Sequence, residues 1–112
     1  MARPQCTAWE AAWDAYLHLA RGLLPALHDE HVGAQALDAQ LGAVALRILR
    51  YAPLWGEHGP MLVAALHSAM RLRRIDDRAD LADLLHVMAN RLYVLSAGPQ
   101  LRRRDGRNPG TS

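Results

Sequence analysis

The chain has 112 residues and a formal net charge of +2, and Leu and Ala dominate its composition while Phe is absent. Few residues are β-branched, so the composition excludes a fold rich in strands and favours one domain of helices. The lone cysteine, Cys6, excludes an internal disulfide framework, and no apolar run approaches the roughly 20 residues of a membrane span. We therefore expect an all-α cytoplasmic protein: a small bundle of about four amphipathic helices over residues 1–99, followed by a disordered Arg-rich tail over 100–112.

The first predicted helix begins at Thr7, where the run from Thr7 to Glu10 matches a capping box. Its apolar residues recur at helical spacing, and we expect them to face the core: Trp9, Trp13, Tyr16, Leu17, Ala20, Leu23, Leu24 and Leu27. Pro25 has no amide proton and disfavours helix at the residue before it, so we expect a break or sharp bend there. The polar run from His28 to His31 predicts a surface turn.

The second predicted helix begins near Ala34 and ends before Pro53. Its core residues follow a four-three spacing that suits packing at about 20° against another helix. This set consists of Leu37, Leu41, Val44, Ile48 and Tyr51, widened by Leu46 and Leu49.

The next segment, from Pro53 to Pro60, contains two Pro and two Gly and predicts a loop. Trp55 within it has two interpretations. Its indole either folds onto the domain as a lid or stays exposed as a contact at the rim of a binding surface.

The third predicted helix spans roughly residues 61–74, and the fourth begins at Asp76 or Asp77 and ends at Gly98. The third is expected to bury Leu62, Leu66, Ala69, Val63 and Met70. The fourth has a second four-three set, flanked by Leu84, Val87 and Tyr93, that consists of Leu81, Leu85, Met88, Leu92 and Leu95.

Charge is unevenly distributed, because residues 1–46 contain two Arg and five acids while the remainder contains eleven Arg and six acids. Nucleic-acid association is therefore an alternative function, in which basic side chains would neutralise phosphates. The candidate contacts are Arg71, Arg73, Arg74, Arg78, Arg102, Arg103 and Arg104. Acids interrupt the cluster between residues 76 and 83, and no helix shows an exposed set of residues suited to base recognition.

Metal and catalytic sites receive less support from the sequence. His28 and His31 flank two acids at a spacing that could hold one ion, but the predicted inner faces contain no carboxylate pairs. Cys6 is terminal, and no Gly-rich phosphate or oxyanion loop accompanies a nucleophile. We predict no metal, no cofactor, no catalytic residues and no enzymatic activity.

Protein binding is the leading hypothesis, because the helices offer more apolar surface than one small core can cover. We expect a small regulator or adaptor of a bacterial type that binds another protein, or a second copy of itself as a homodimer. An antiactivator that holds a transcription factor is one example. The predicted protein-binding residues are Trp9, Trp13, Tyr16 and Leu17, with Trp55 at the rim.

Overall fold

The computed structural model describes residues 7–97, and all regular secondary structure in this range is helical. Helix α1 consists of three continuous segments: an α-helix over Ala8–Leu17, a π-helix over His18–Leu23 and an α-helix over Leu24–His28. Helix α2 spans Ala34–Tyr51 and leads into a 3-10 turn over Ala52–Trp55; α3 spans His58–Arg74 and α4 spans Arg78–Ser96. The prediction of a small all-α bundle is confirmed, while the Arg-rich tail lies outside the described residues.

The four helices form a closed ring around one apolar core. Short connections make consecutive helices antiparallel neighbours, and α1 also contacts α4. Between residues 7 and 97 every buried side chain is apolar or glycine. The four-three sets of α2 and α4 supply much of the core, as predicted: Leu37, Leu41, Val44, Ile48, Leu81, Leu85, Met88 and Leu92 are buried. None of the helices over this range is long and apolar enough to cross a membrane.

The expected break at Pro25 is absent, because a π-helical turn precedes it. Leu17, Leu23 and Leu24 all keep right-handed helical dihedrals, and the Leu24 amide donates to the Leu19 carbonyl five residues back. A proline ring normally clashes with the carbonyl four residues before it. The wider turn lets the helix continue through Pro25, so of the two expected outcomes, a break or a sharp bend, the break was wrong.

The core face of α1 also differs from the prediction. Ala11, Ala12 and Ala15 are completely buried, whereas Trp9 and Trp13 remain 45% and 43% exposed. Alanine methyls allow the backbone of α1 to approach its neighbours closely, which leaves no room for an indole at the centre of the contact. The tryptophans therefore lie at the edge of the helix interface.

Five further apolar residues lie farther out than their spacing suggested, among them Tyr93 of α4, which is 51% exposed. Leu46 and Leu49 of α2 are 63% and 52% exposed, and Met70 of α3 is 40% exposed. Val87 of α4 is 64% exposed. Each helix thus buries a narrower stripe than the sequence predicted and leaves apolar side chains on the surface.

Candidate protein-binding surface

Four aromatic side chains, from here on the aromatic patch, lie together on the outer side of α1 and α4: Trp9, Trp13, Tyr16 and Tyr93. The rings of Trp13 and Tyr16 stack with centroids 5.3 Å apart and planes inclined by 22°. Tyr16 also contacts Tyr93 of α4, at a centroid distance of 5.4 Å. Trp9 is one turn before Trp13 and therefore lies on the same side of α1.

The patch is open to solvent at its outer members and supported at its centre. Tyr93 is 51% exposed, a fraction close to those of Trp9 and Trp13, whereas Tyr16 is partly buried between Trp13 and Tyr93. Leu17, one turn beyond Trp13, is also partly buried. The structure thus brings the four α1 residues predicted to bind a protein onto one side of the bundle and adds Tyr93.

Beside the patch, Asp14 of α1 contacts two residues of α2. Its carboxylate accepts a hydrogen bond of 2.9 Å from the Tyr51 hydroxyl. Arg47 Nε and His18 Nδ1 lie 3.4 Å from the same carboxylate, within ion-pair distance. Because Asp14 adjoins Trp13 in sequence, this cluster lies next to the aromatic patch.

Trp55 does not belong to the exposed surface. It is 4% exposed, and its indole Nε1 donates a hydrogen bond of 2.9 Å to the carbonyl of Ala8. Its ring also makes an edge contact with Tyr51, with centroids 6.2 Å apart. The prediction of Trp55 as a rim contact is corrected, and its alternative as a lid over the domain is confirmed.

The Arg cluster of the alternative function is partly neutralised within the bundle. Arg73 Nε lies 2.8 Å from Asp38 Oδ1, in an ion pair whose angle departs from hydrogen-bond geometry. Arg73 and Arg78 both lie within 3.6 Å of Asp76. Arg71 and Arg74 are exposed, while Arg102, Arg103 and Arg104 lie outside the described residues. Nucleic-acid association therefore stays a prediction.

His28 and His31, considered above as possible metal ligands, contact different residues. The ring of His28 lies 6.0 Å from that of His86 on α4, whereas His31 Nδ1 lies 3.4 Å from Asp29 Oδ1. Over residues 7–97, no three His, Cys, Asp or Glu side chains come together as a metal-binding group.

Two helix starts carry acids whose pKa values depart from the ordinary ones. At α1, hydrogen bonds from the Thr7 amide and hydroxyl, 3.0 and 2.9 Å long, lower the pKa of Glu10. At α4, the charge of the capping Asp77 raises the pKa of Asp80. Both acids are exposed at helix termini, so these shifts reflect capping chemistry and not a catalytic site.

The aromatic patch is apolar and solvent-accessible, and it is supported by packing on both α1 and α4. Such a surface can remove a complementary apolar side chain from water without any chemical step. No family model, no curated protein and no solved structure matches this chain.

Proposed function

We propose that this protein is a non-enzymatic adaptor or regulator that binds another protein through the aromatic patch. The observation that carries the proposal is the exposure of two indoles, Trp9 and Trp13, within an ordered cluster of rings. Trp and Tyr are the residue types that most often dominate binding energy, because they bury a large area at a small entropic cost. Occupation of a transcription factor's interface, as by an antiactivator, is one form this activity would take.

The area of the patch defines its place in a complex. A large aromatic side chain can bury about 150–250 Å², so three rings that are about half exposed and the partly buried Tyr16 together offer roughly 250–400 Å². A stable interface buries about 800 Å² on each partner. The patch would therefore form the centre of an interface, and the polar residues around it would form the rim.

A second copy of this chain is the other protein that the patch would accept. Two patches related by a two-fold axis would place the aromatic rings of one copy against those of the other. Sedimentation equilibrium over a range of protein concentrations tests for the homodimer directly. A dimer held by the patch would dissociate when both indoles are replaced.

The deciding experiment combines capture of partners from the native host with affinity measurements on the purified complex. The test variant carries Trp9→Gln and Trp13→Gln, since Gln keeps helix propensity while removing the rings. The matched control carries Ile75→Gln and Val87→Gln, two apolar residues that are each 64% exposed outside the patch. Thermal unfolding of both variants verifies that the fold is kept.

We expect the patch variant to lose about tenfold or more in affinity for the captured protein, or to dissociate the dimer. The control variant should bind as the wild type does. A patch variant that keeps wild-type affinity and wild-type assembly would refute the proposal, because the only exposed indoles in the described part of the chain would then be dispensable.

A further inference from the structure

A second apolar surface lies between α2 and α3, the two helices that do not form the aromatic patch. Two depressions of about 490 and 560 Å³ are formed by these helices. One lies near Gly42 and Met70, and the other lies near Leu49 and Ala64. Because α2 and α3 are antiparallel, the two depressions follow each other along one groove.

The α2–α3 groove has exposed apolar edges, and small residues form part of its lining. Leu49 and Met70, both at least 40% exposed, border the depressions, and Leu46 lies beside them. Gly42 stands in the middle of α2, and a Cβ atom built on it would meet nothing within 4 Å. A mid-helix glycine weakens a helix, and here no close contact among residues 7–97 requires it. The space above Gly42 is open to a visiting side chain.

The charge at one end of the groove is positive. Asp38 and Arg73 both line this end, but they neutralise each other in an ion pair of 2.8 Å. Arg74 also lines it, and Arg71 lies one turn earlier on the same side of α3. Among the ion pairs of residues 7–97, neither Arg71 nor Arg74 has a carboxylate partner. The groove therefore presents apolar walls and a cationic end.

We propose that the α2–α3 groove is a second docking site, and that it takes an acidic amphipathic helix from another protein. The groove follows α2 from Asp38 to Ala52, a length of roughly 20 Å at about 1.5 Å per residue, which matches about four turns of a bound helix. Apolar side chains at positions i, i+4 and i+7 of that helix would enter the two depressions. Its carboxylates would lie near Arg71 and Arg74, in the pairing that gives specificity to such complexes.

This site is independent of the aromatic patch, so either one can fail without the other. The probe is a fluorescent synthetic peptide of about 16 residues with Leu at those positions and Glu at its flanks. A matched peptide replaces each Glu by Lys. Fluorescence anisotropy measures the affinity of the full chain for both peptides.

Three variants locate the site. Gly42→Leu places a large side chain in the groove, and we expect the fold to be retained because the new Cβ atom meets no described atom within 4 Å. Ala36→Leu adds the same side chain at an exposed position of α2 outside the groove. The double variant Arg71→Glu and Arg74→Glu reverses the charge of the cationic end.

We expect the acidic peptide to bind about tenfold or more tightly than the basic one. Gly42→Leu should abolish binding without lowering the melting temperature, and Ala36→Leu should bind normally. The charge-reversed variant should bind the basic peptide more tightly than the acidic one.

The proposal is overturned if neither peptide binds, if Gly42→Leu binds as the wild type does, or if the charge reversal leaves the preference unchanged. It is also overturned if Gly42→Leu dissociates a homodimer, because the occupant would then be a second copy of this chain.

Discussion

Replacement of Trp55 tests the most specific tertiary contact in the bundle. The indole is 4% exposed and joins the 3-10 turn to the first residue of α1 through its bond to the Ala8 carbonyl. Truncation of a buried Trp to Ala costs about 3–5 kcal/mol. A domain of this size has a total stability of about 5–15 kcal/mol, so Trp55→Ala should remove a large fraction of it.

A second substitution separates the hydrogen bond from the packing. Trp55→Phe keeps an aromatic ring at the site but removes the 2.9 Å bond to Ala8. The Ala8 carbonyl still lies at the start of α1 and keeps its place in the helix. We therefore expect a loss of about 1–2 kcal/mol, from one neutral hydrogen bond and a smaller apolar surface.

Urea unfolding followed by far-UV circular dichroism measures both losses, with Trp13→Phe as the matched control. Trp13 is 43% exposed and donates no hydrogen bond in the described structure, so its replacement should change the free energy of unfolding by about 0.5 kcal/mol or less. Tryptophan fluorescence adds an independent readout, since Trp55→Phe removes the only buried indole of the three in the chain. If Trp55→Ala were no more destabilising than Trp13→Phe, the lid position of Trp55 would be refuted.

Three further substitutions have signs that follow directly from local geometry, and thermal or chemical unfolding measures each one. Gly42→Ala should stabilise the protein by about 0.5–1 kcal/mol, because a methyl at this helical position meets no atom within 4 Å. Gly59→Ala should destabilise it despite the better helix propensity, because the new Cβ would overlap the Ala52 carbonyl oxygen; equal gains at the two glycines would contradict this reasoning. Thr7→Ala should cost about 1 kcal/mol at neutral pH by removing the cap of α1. Because the pKa of Glu10 is lowered in the folded protein, its carboxylate stabilises the fold at pH values above the ordinary pKa of 4.5. This stabilisation is lost as the pH falls through the folded-state pKa, so the loss of stability caused by Thr7→Ala should be smaller in acid. A loss that does not change with pH would contradict the capping box.

The sequence was sufficient for the number of helices and for the buried faces of α2 and α4. Leu41 and Leu85 belong to four-three sets on α2 and α4, and both sets face the core as predicted, with Tyr51 and Leu95 at their ends partly buried. Spacing along one helix reports which residues share a face, and a helix with a single apolar stripe has one way to bury it. The capping box at Thr7 is local as well, and it forms with the predicted bonds.

The spacing of residues did not predict which face of α1 is buried, because α1 has two apolar faces at helical periodicity. Trp9 and Trp13 form one of them, and Ala11 and Ala15 form the other. The choice depends on how closely α1 approaches α2 and α4, a property of the assembled bundle that no single helix contains. The π-helical turn before Pro25 likewise depends on the packing of α1 against the other helices as well as on the proline.

The candidate surface was predicted in part. Trp13, Tyr16 and Leu17 could be assigned to one side of α1 from spacing alone, but the partnership of Tyr16 with Tyr93 joins residues 77 positions apart. Trp55 was the opposite case, since the sequence left two interpretations open and only the contact with Ala8 decides between them. Which residues of different helices meet in one surface depends on how the helices are arranged. The spacing of residues along a single helix does not predict that arrangement.

The two surfaces share a physical origin in the narrow core. Alanines at the centre of the α1 contact draw the helices close together, and the close approach leaves Trp9 and Trp13 outside. On the other side, Gly42 is part of the lining of the α2–α3 groove, while Leu49 and Met70 stay exposed at its edges. In both places small residues lie beside large exposed ones, which is an arrangement that a docking partner can fill. A bundle built only for stability would reverse that order, burying the large side chains and exposing the small ones.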